Sequence, residues 1–547
     1  MIVKSNWRLA NVKTRRETGL DYVIQNINLI TPFGKKQLKD LKAFPPGMEA
    51  ELNEEFDRVE KMITYIKENQ KKATQLSEVF MEMKDTTLTV ERSRTDILSV
   101  VELYEMKSLL LQMRQVLKFT ATEDFNIPKA FVLEDTESLL DELDPSGDRL
   151  NTFYIYDEFS DKLHELRVKK RDFEILIRKS QKKRREEIRK EYGIQLTPKF
   201  DIVVAKSHAD YDKILNISDL ELVDQDYMSA TFQLKLNDEA YAYMGKIEEL
   251  NGEIEVEEEL IRKDLSEKIA QYSDVLLENC TKIGALDLAL AKAYFFIERN
   301  LTRPEIVAEH VIEFIDGRNL AVEEVVKKKG KEYCPVSLSL RDGVTVITGA
   351  NMGGKTISLK LAGQVAILAQ YGFFVPAVKA KVGLSNYMQM LIGDSQSVER
   401  GLSSFGSEME ELKEILDKGE DRSLILVDEI ASGTNPTEGT ALTKSLVDYL
   451  IERPYISLIT THFETVTERE GVVNMQVRGL ADCDFVLLGR ELQYANRKDR
   501  INIISKYMDY RLCKVENEKQ VPKDALNIAT MLGIDKVIID GAKKYIK

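Results

Sequence analysis

Residues 345–360, TVITGANMGGKTISLK, place small residues just ahead of a lysine and a threonine. Gly349, Gly354, Lys355 and Thr356 satisfy the spacing G-x-x-x-x-G-K-[ST]. A β-prone stretch, GVTVIT, precedes the run, and a helical pattern, TISLKLAGQVAILAQ, follows it. In that setting the glycines let backbone N–H groups wrap phosphates, helped by the helix N-terminus. Lys355 is expected to reach the β- and γ-phosphates, and Thr356 to ligate Mg2+. Asn351, Met352 and Gly353 complete the expected phosphate-binding loop. A second stretch, SLILVDE, ends four apolar residues with Asp428 and Glu429. There Asp428 is expected to hold Mg2+ through water, and Glu429 to orient or deprotonate the attacking water. A third, YISLITTHF, puts His462 at a strand end, within reach of a γ-phosphate. Together these parts predict an ATP hydrolase using ATP and Mg2+, with Lys355, Glu429 and His462 as the catalytic set. They do not say what the hydrolysis drives.

Strands must carry these loops. GVTVIT, SLILVD and YISLIT are short, apolar and followed by helices or small residues, which implies a mostly parallel α/β sheet from about residue 301 to 547. Before it, residues 1–157 read as a helical core. TPFGKKQLKDLKAFPP is expected to enter a helix after Pro32–Gly34 and to leave it at Pro45 and Pro46. Residues 158–300 read as two long helices, 158–192 and 238–300, the second interrupted at Gly252 and Gly284. Between them, 198–237 carries the β-prone pieces FDIVVA, DLELV and SATFQLKL, a small β-rich tip.

Composition agrees with such a plan. The chain has 547 residues, 43% of them hydrophobic and 31% charged, enough for several helix-rich domains. No apolar run is long enough to span a membrane, and MIVKSNWRLANVKTRRE lacks a signal core, so a cytoplasmic protein is expected. Cys280, Cys334, Cys483 and Cys513 are scattered without C-x-x-C spacing and read as reduced thiols.

The net charge of −14 does not favour nucleic acid, but charge is unevenly spread. Arg167 to Lys190 holds twelve basic and four acidic residues. One reading is a helix that tracks phosphates. The other, which the sequence favours, is a helix paired with the acidic return stretch EELNGEIEVEEEL. A reversal through 198–237 would then set Arg184 opposite Ile247 and Arg178 opposite Glu253. The tip, residues 198–240, has four lysines against nine acids and would repel a phosphate backbone.

TGANMGGKT resembles the P-loop of the MutS family, and LVDEIASGTNPTEGTAL resembles that family's Walker B region. IGDSQSVERGLSSFGSEM is similar to the signature region of the second bacterial MutS subfamily. TPFGKKQL, ELYEMKSLL, DVLLENCTKIGALDLALAKA and GFFVPA also resemble its segments. The resemblance implies a mixed fold: an all-α core, a long-helix lever with a small β-rich clamp, and an ABC-type P-loop ATPase with a C-terminal dimerisation element. It implies a homodimer with composite ATP sites. In it Ser403 and Ser404 approach the opposite subunit's nucleotide, Asn435 faces the interface, and Tyr333 stacks on adenine. Phe296-Ile-Glu298 fits the family's mismatch wedge as a string but sits in a lever helix. Neither a mismatch-reading domain nor an Smr nuclease is expected in this polypeptide.

Two functions remain in view. One is a DNA-binding clamp ATPase related to repair or recombination. The other is a protein-remodelling ATPase, similar to the reactivating factors of adenosylcobalamin-dependent mutases, whose clamp would grip a protein client. The acidic tip suits the second, and family resemblance the first. An ATP-gated scaffold without turnover fits least, because Lys355, Asp428 and Glu429 are all present.

Overall fold

A computed structural model of the chain describes residues 8–121, 129–349, 354–393, 404–480, 483–494, 496, 500–515 and 524–545. It divides into two compact units. One comprises Met1–Ser77, Thr122–Phe131 and Ile283–Lys547, and the other Glu78–Ala121 and Val132–Lys282, each as far as its residues are described. No helix among the described residues is long and apolar enough to cross a membrane.

The second unit carries a helical arm. Helix Asp161–Tyr192, capped by the Ser160 hydroxyl, packs antiparallel on helix Asp238–Gln271, capped by Asn237. Three strands, β1 (Asp201–Ala205), β2 (Leu220–Gln225) and β3 (Ser229–Leu234), form an antiparallel sheet in the order β1-β3-β2. One face of that sheet buries Val204, Ala230, Phe232 and Leu234 with Ile188, Ile194 and Ile214. Ile188 belongs to the outgoing helix, so that helix runs on beside the sheet while the return helix begins only at Asp238.

This overshoot overturns the expected register. Phe173 stacks on Tyr243 at 5.6 Å, and Asn237 Nδ2 donates to Ser180 Oγ at 3.0 Å. Only the start of the basic run reaches the acidic stretch, through Arg167 and Glu258 at 2.7 Å, joined by the nearby Lys162 on Glu257 at 2.9 Å. Arg184 instead meets Asp219 at 2.6 Å and Glu187 at 2.9 Å, and Arg185 lies over the Phe200 ring. Arg178, Lys179, Lys182, Lys183, Arg189 and Lys190 are exposed, with no ion-pair partner among the described residues. The helical break is also elsewhere: Gly252 and Gly284 lie within helices, and the interruption falls at Tyr272, between helix Asp238–Gln271 and helix Ser273–Glu298.

In the first unit, helix Pro32–Lys39 begins earlier and ends earlier than the prolines suggest. Thr31 caps it, Pro32 takes a first-turn position where its missing N–H costs nothing, and the Asp40 N–H closes it. Its start is pinned by Asp287, whose carboxylate accepts from Thr31 N and Thr31 Oγ1, both at 2.7 Å. The approach is close enough to need glycines. A Cβ on Gly34 would lie 2.3 Å from Asp287 Oδ2, and one on Gly284 would lie 2.7 Å from the Phe33 carbonyl oxygen.

The same unit holds two sheets. The strands are β4 (Glu305–Val307), β5 (Val311–Gly317), β6 (Val336–Arg341), β7 (Gly343–Thr348), β8 (Lys379–Gly383), β9 (Tyr387–Ile392), β10 (Ser423–Asp428), β11 (Tyr455–Thr460), β12 (Val472–Gly479) and β13 (Asp509–Lys514). The smaller sheet has the order β4-β8-β5-β6, and the larger β13-β12-β7-β11-β10-β9. In the larger sheet β12, β7, β11, β10 and β9 are parallel, and β13 alone pairs antiparallel. Val344, Val346, Ile425, Val427 and Ile459 are buried in its core, which helix Pro436–Ile451 covers with Leu446, Val447 and Leu450. The open edge, β9, is covered from the other end of the chain: Met388 N donates to the Leu9 carbonyl at 2.8 Å, and Thr14 Oγ1 bridges Gln389 Oε1 and Met390 N. Lys13 also binds Glu411 at 2.7 Å.

A Gly284→Val variant should lose the ~1–3 kcal/mol of stability typical of overpacking, seen as a lower urea midpoint at unchanged slope. An unchanged midpoint would mean that the contact with Phe33 is not tight.

Candidate nucleotide site

The site lies at the carboxyl ends of β7, β10 and β11, where open α/β sheets hold ligands. Because β11 sits between the other two, residues that follow all three strands converge. Gly349 follows β7 with φ 132°, a backbone state that a Cβ disfavours. Gly354, at φ 82°, starts helix Lys355–Gln370. Asn351, Met352 and Gly353 lie outside the described residues.

Lys355 is buried, and its ammonium donates to the Gly349 carbonyl at 2.8 Å. It also lies 3.2 Å from Glu429 Oε1 and 3.0 Å from His462 Nδ1. His462 Nε2 in turn meets Glu429 Oε1 at 2.7 Å. His462, then Lys355, hold the Glu429 carboxyl below its ordinary range, and burial opposes them. Burial lowers the Lys355 pKa, against the attraction of Glu429. Beside this triad, Thr356 Oγ1 donates to Asp428 Oδ2 at 2.8 Å. A hydroxyl and a carboxylate side by side are the hard oxygen donors that Mg2+ takes. The residues present therefore suit a magnesium–triphosphate group: Thr356 and Asp428 would hold the metal, and Lys355 the phosphates.

Glu429 owes its aim to an unusual turn. Glu429 has φ 50° and Ala431 φ 58°, left-handed conformations that L-residues seldom adopt. Glu429 N donates to both the carbonyl and the hydroxyl of Thr460, and Thr460 Oγ1 donates to Asp428. Thr460, which sequence reasoning passed over, thus ties β10 to β11 at the site. The TT before His462 was its only sequence signal.

Tyr333 borders a pocket of about 290 Å³ with Val322, Val325, Gly354, Ile357 and Tyr510. Its hydroxyl accepts from Asn319 N at 3.0 Å, and burial pushes its pKa up. Tyr510, on β13, was not singled out from the sequence, because nothing local ties it to a loop over 150 residues earlier. A Cβ on Gly354 would lie 3.1 Å from its ring. Asn435 caps helix Pro436–Ile451, accepting from Thr437 N at 2.9 Å. Ser403 lies outside the described residues, and Ser404 begins helix Ser404–Lys418, its side chain likewise outside them. Phe296 is buried and stacks on Phe374 at 4.7 Å, a core residue rather than a wedge.

Residues 345–546, which include these strands and loops, match the family described as MutS domain V. This part of the chain is therefore similar to MutS-family proteins. It is 36% identical over 228 residues to Endonuclease MutS2 of Shouchella clausii, covering 40% of this chain and 28% of that protein. It is 36% identical over 239 residues to Endonuclease MutS2 of Clostridium botulinum strain Okra, covering 42% and 30%. It is 37% identical over 227 residues to that of Pediococcus pentosaceus, covering 40% and 28%. The alignment thus spans less than a third of these MutS2 relatives' own length.

Lys355→Ala should remove binding of a fluorescent ATP analogue, with the Kd rising at least about 100-fold from the loss of a buried charged hydrogen-bond donor. Unchanged affinity would refute the assignment of this loop to phosphate.

Proposed function

We propose that this chain is a MutS-like, ATP-dependent DNA-binding clamp ATPase of the repair and recombination type, hydrolysing ATP at sites completed in a homodimer. The observation that carries the ATPase reading is the convergence of Lys355, Thr356, Asp428, Glu429 and His462 at one sheet edge. In this reading Lys355 leaves Glu429 to take the phosphates, which frees the carboxylate to polarise the attacking water. His462 steadies that carboxylate and lies near the transferred group. Mg2+, when bound, would neutralise charge on the phosphates. Ser403 and Ser404 would reach the nucleotide of a second copy, with Asn435 beside that interface, and Tyr333 would stack on adenine. In support of a homodimer, Val537 and Ile538 of the helix Lys536–Tyr545 are 79% and 63% exposed. We assign residues 1–157 to the helical core, 158–300 to the lever with its clamp at 198–237, and 301–547 to the ATPase. A cytoplasmic setting fits the four free cysteines.

The exposed, uncompensated cations between Arg178 and Lys190 support DNA as the partner, gripped along the arm. The tip favours a second reading, a protein client such as a cobalamin-dependent mutase. Its outer sheet face carries Asp201, Glu221 and Asp224 with no ion-pair partner among the described residues. Its turn holds Tyr227 at 97% and Met228 at 76% exposure.

Two experiments bear on this. Glu429→Gln should bind ATP but turn over at least about 100-fold more slowly, in line with the loss of a general base. Near-normal turnover would remove Glu429 from that role. In fluorescence anisotropy with ATP and a salt series, duplex DNA should bind in a steeply salt-dependent way. Lys182→Gln/Lys183→Gln should flatten the log–log slope by about two. No binding at low salt would turn the assignment to the protein client.

A further inference from the structure

Helix Ser404–Lys418 contains a carboxylate whose setting the reading so far leaves unused. Glu408 is half-buried and has no cation partner among the described residues. Its Oε2 accepts a hydrogen bond from Ala431 N at 3.2 Å. Ala431 is one of the two left-handed residues of the turn that carries Glu429. A turn with two such residues is strained and persists only where its surroundings fix it. Two such fixings come from neighbouring elements. Thr460 holds Glu429 N, and Gly439 lies against the Ala431 carbonyl so closely that a Cβ there would meet its oxygen at 2.8 Å. The Ala431 N–H is held by Glu408.

The position of Glu408 on its helix matters as much as its bond. It stands four residues, about one turn, after the helix start at Ser404. Glu408 and the helix start belong to one continuous helix, and Glu408 is tied to the Ala431 N–H. We propose that Glu408 is a positioning residue for ATP hydrolysis: it transmits the placement of the helix start to the left-handed turn, and so aims Glu429. The inference rests on the ATPase reading above. It adds a direct route by which whatever engages the start of this helix sets the competence of the neighbouring carboxylate. What crosses that route is a backbone adjustment, since Glu408 bonds the Ala431 N–H while Lys355 and His462 meet Glu429.

The test uses the full chain and three measurements: steady-state ATP turnover, affinity for a fluorescent ATP analogue, and the urea midpoint without nucleotide. Glu408→Gln keeps an oxygen acceptor for Ala431 N and should retain kcat within about twofold. Glu408→Ala should lose about tenfold in kcat, which is ~1.4 kcal/mol of transition-state stabilisation, with KM and analogue affinity unchanged. A merely structural role would lower the urea midpoint and affinity together, with no rescue by glutamine. That pattern would overturn the proposal, as would an alanine variant with wild-type kcat. Should Glu408→Ala fail to fold, Glu408→Gln decides alone: a glutamine variant as slow as Glu429→Gln overturns the acceptor role. Wild-type protein that binds the analogue but never turns over ATP would defeat the hydrolase reading itself, and the proposal with it.

Discussion

Burying an ammonium group is the constraint around which the candidate nucleotide site is arranged. Lys355 has almost no contact with water, and an unpaired charge in that position would cost several kcal/mol. The carbonyl of Gly349, the Glu429 carboxylate and the His462 ring supply its partners. Those three groups come from three adjacent strands, so the order β7-β11-β10 is what lets the charge be buried. The cost of the left-handed turn at Glu429 and Ala431 is then understandable. In that backbone conformation the carboxylate meets the lysine at 3.2 Å.

The sequence made this region legible because its signals are local. A run such as SLILVD needs no distant residue to read as a buried strand, and a glycine-rich loop between strand and helix is a contiguous pattern. What stayed hidden depended on distance. Tyr510 approaches Gly354 from a strand far along the chain, and no periodicity announces such a meeting. Glu408 and Thr460 looked like ordinary helix and strand residues, since their meaning lies in the N–H groups they hold.

The arm taught a different lesson. Helical periodicity gave two long helices, but register between antiparallel helices depends on how the connecting chain folds. The tip sheet swallows Ile188 and so shifts the return helix along its partner. Glycines misled for a related reason: Gly252 sits in an exposed helix where it is tolerated, and Gly284 is required by Phe33 rather than ending anything. The outcome is a neck rich in free cations next to an acidic tip. Opposite charges thus sit in series along one arm, where the sequence suggested that they cancel side by side.

The cover that Leu9 and Thr14 place over β9 has a consequence for how the chain is made. Thr14 and Gln389 are 375 residues apart, so on the ribosome Thr14 waits for that length of chain to be made before its partner strand exists. At ~5–20 residues per second, that wait lasts on the order of half a minute. During that time the threonine-bearing helix Val12–Glu17 has no edge to cover, and once β9 is made its backbone stays open until the two meet. The larger sheet therefore closes late, across a long loop, which slows its completion in folding.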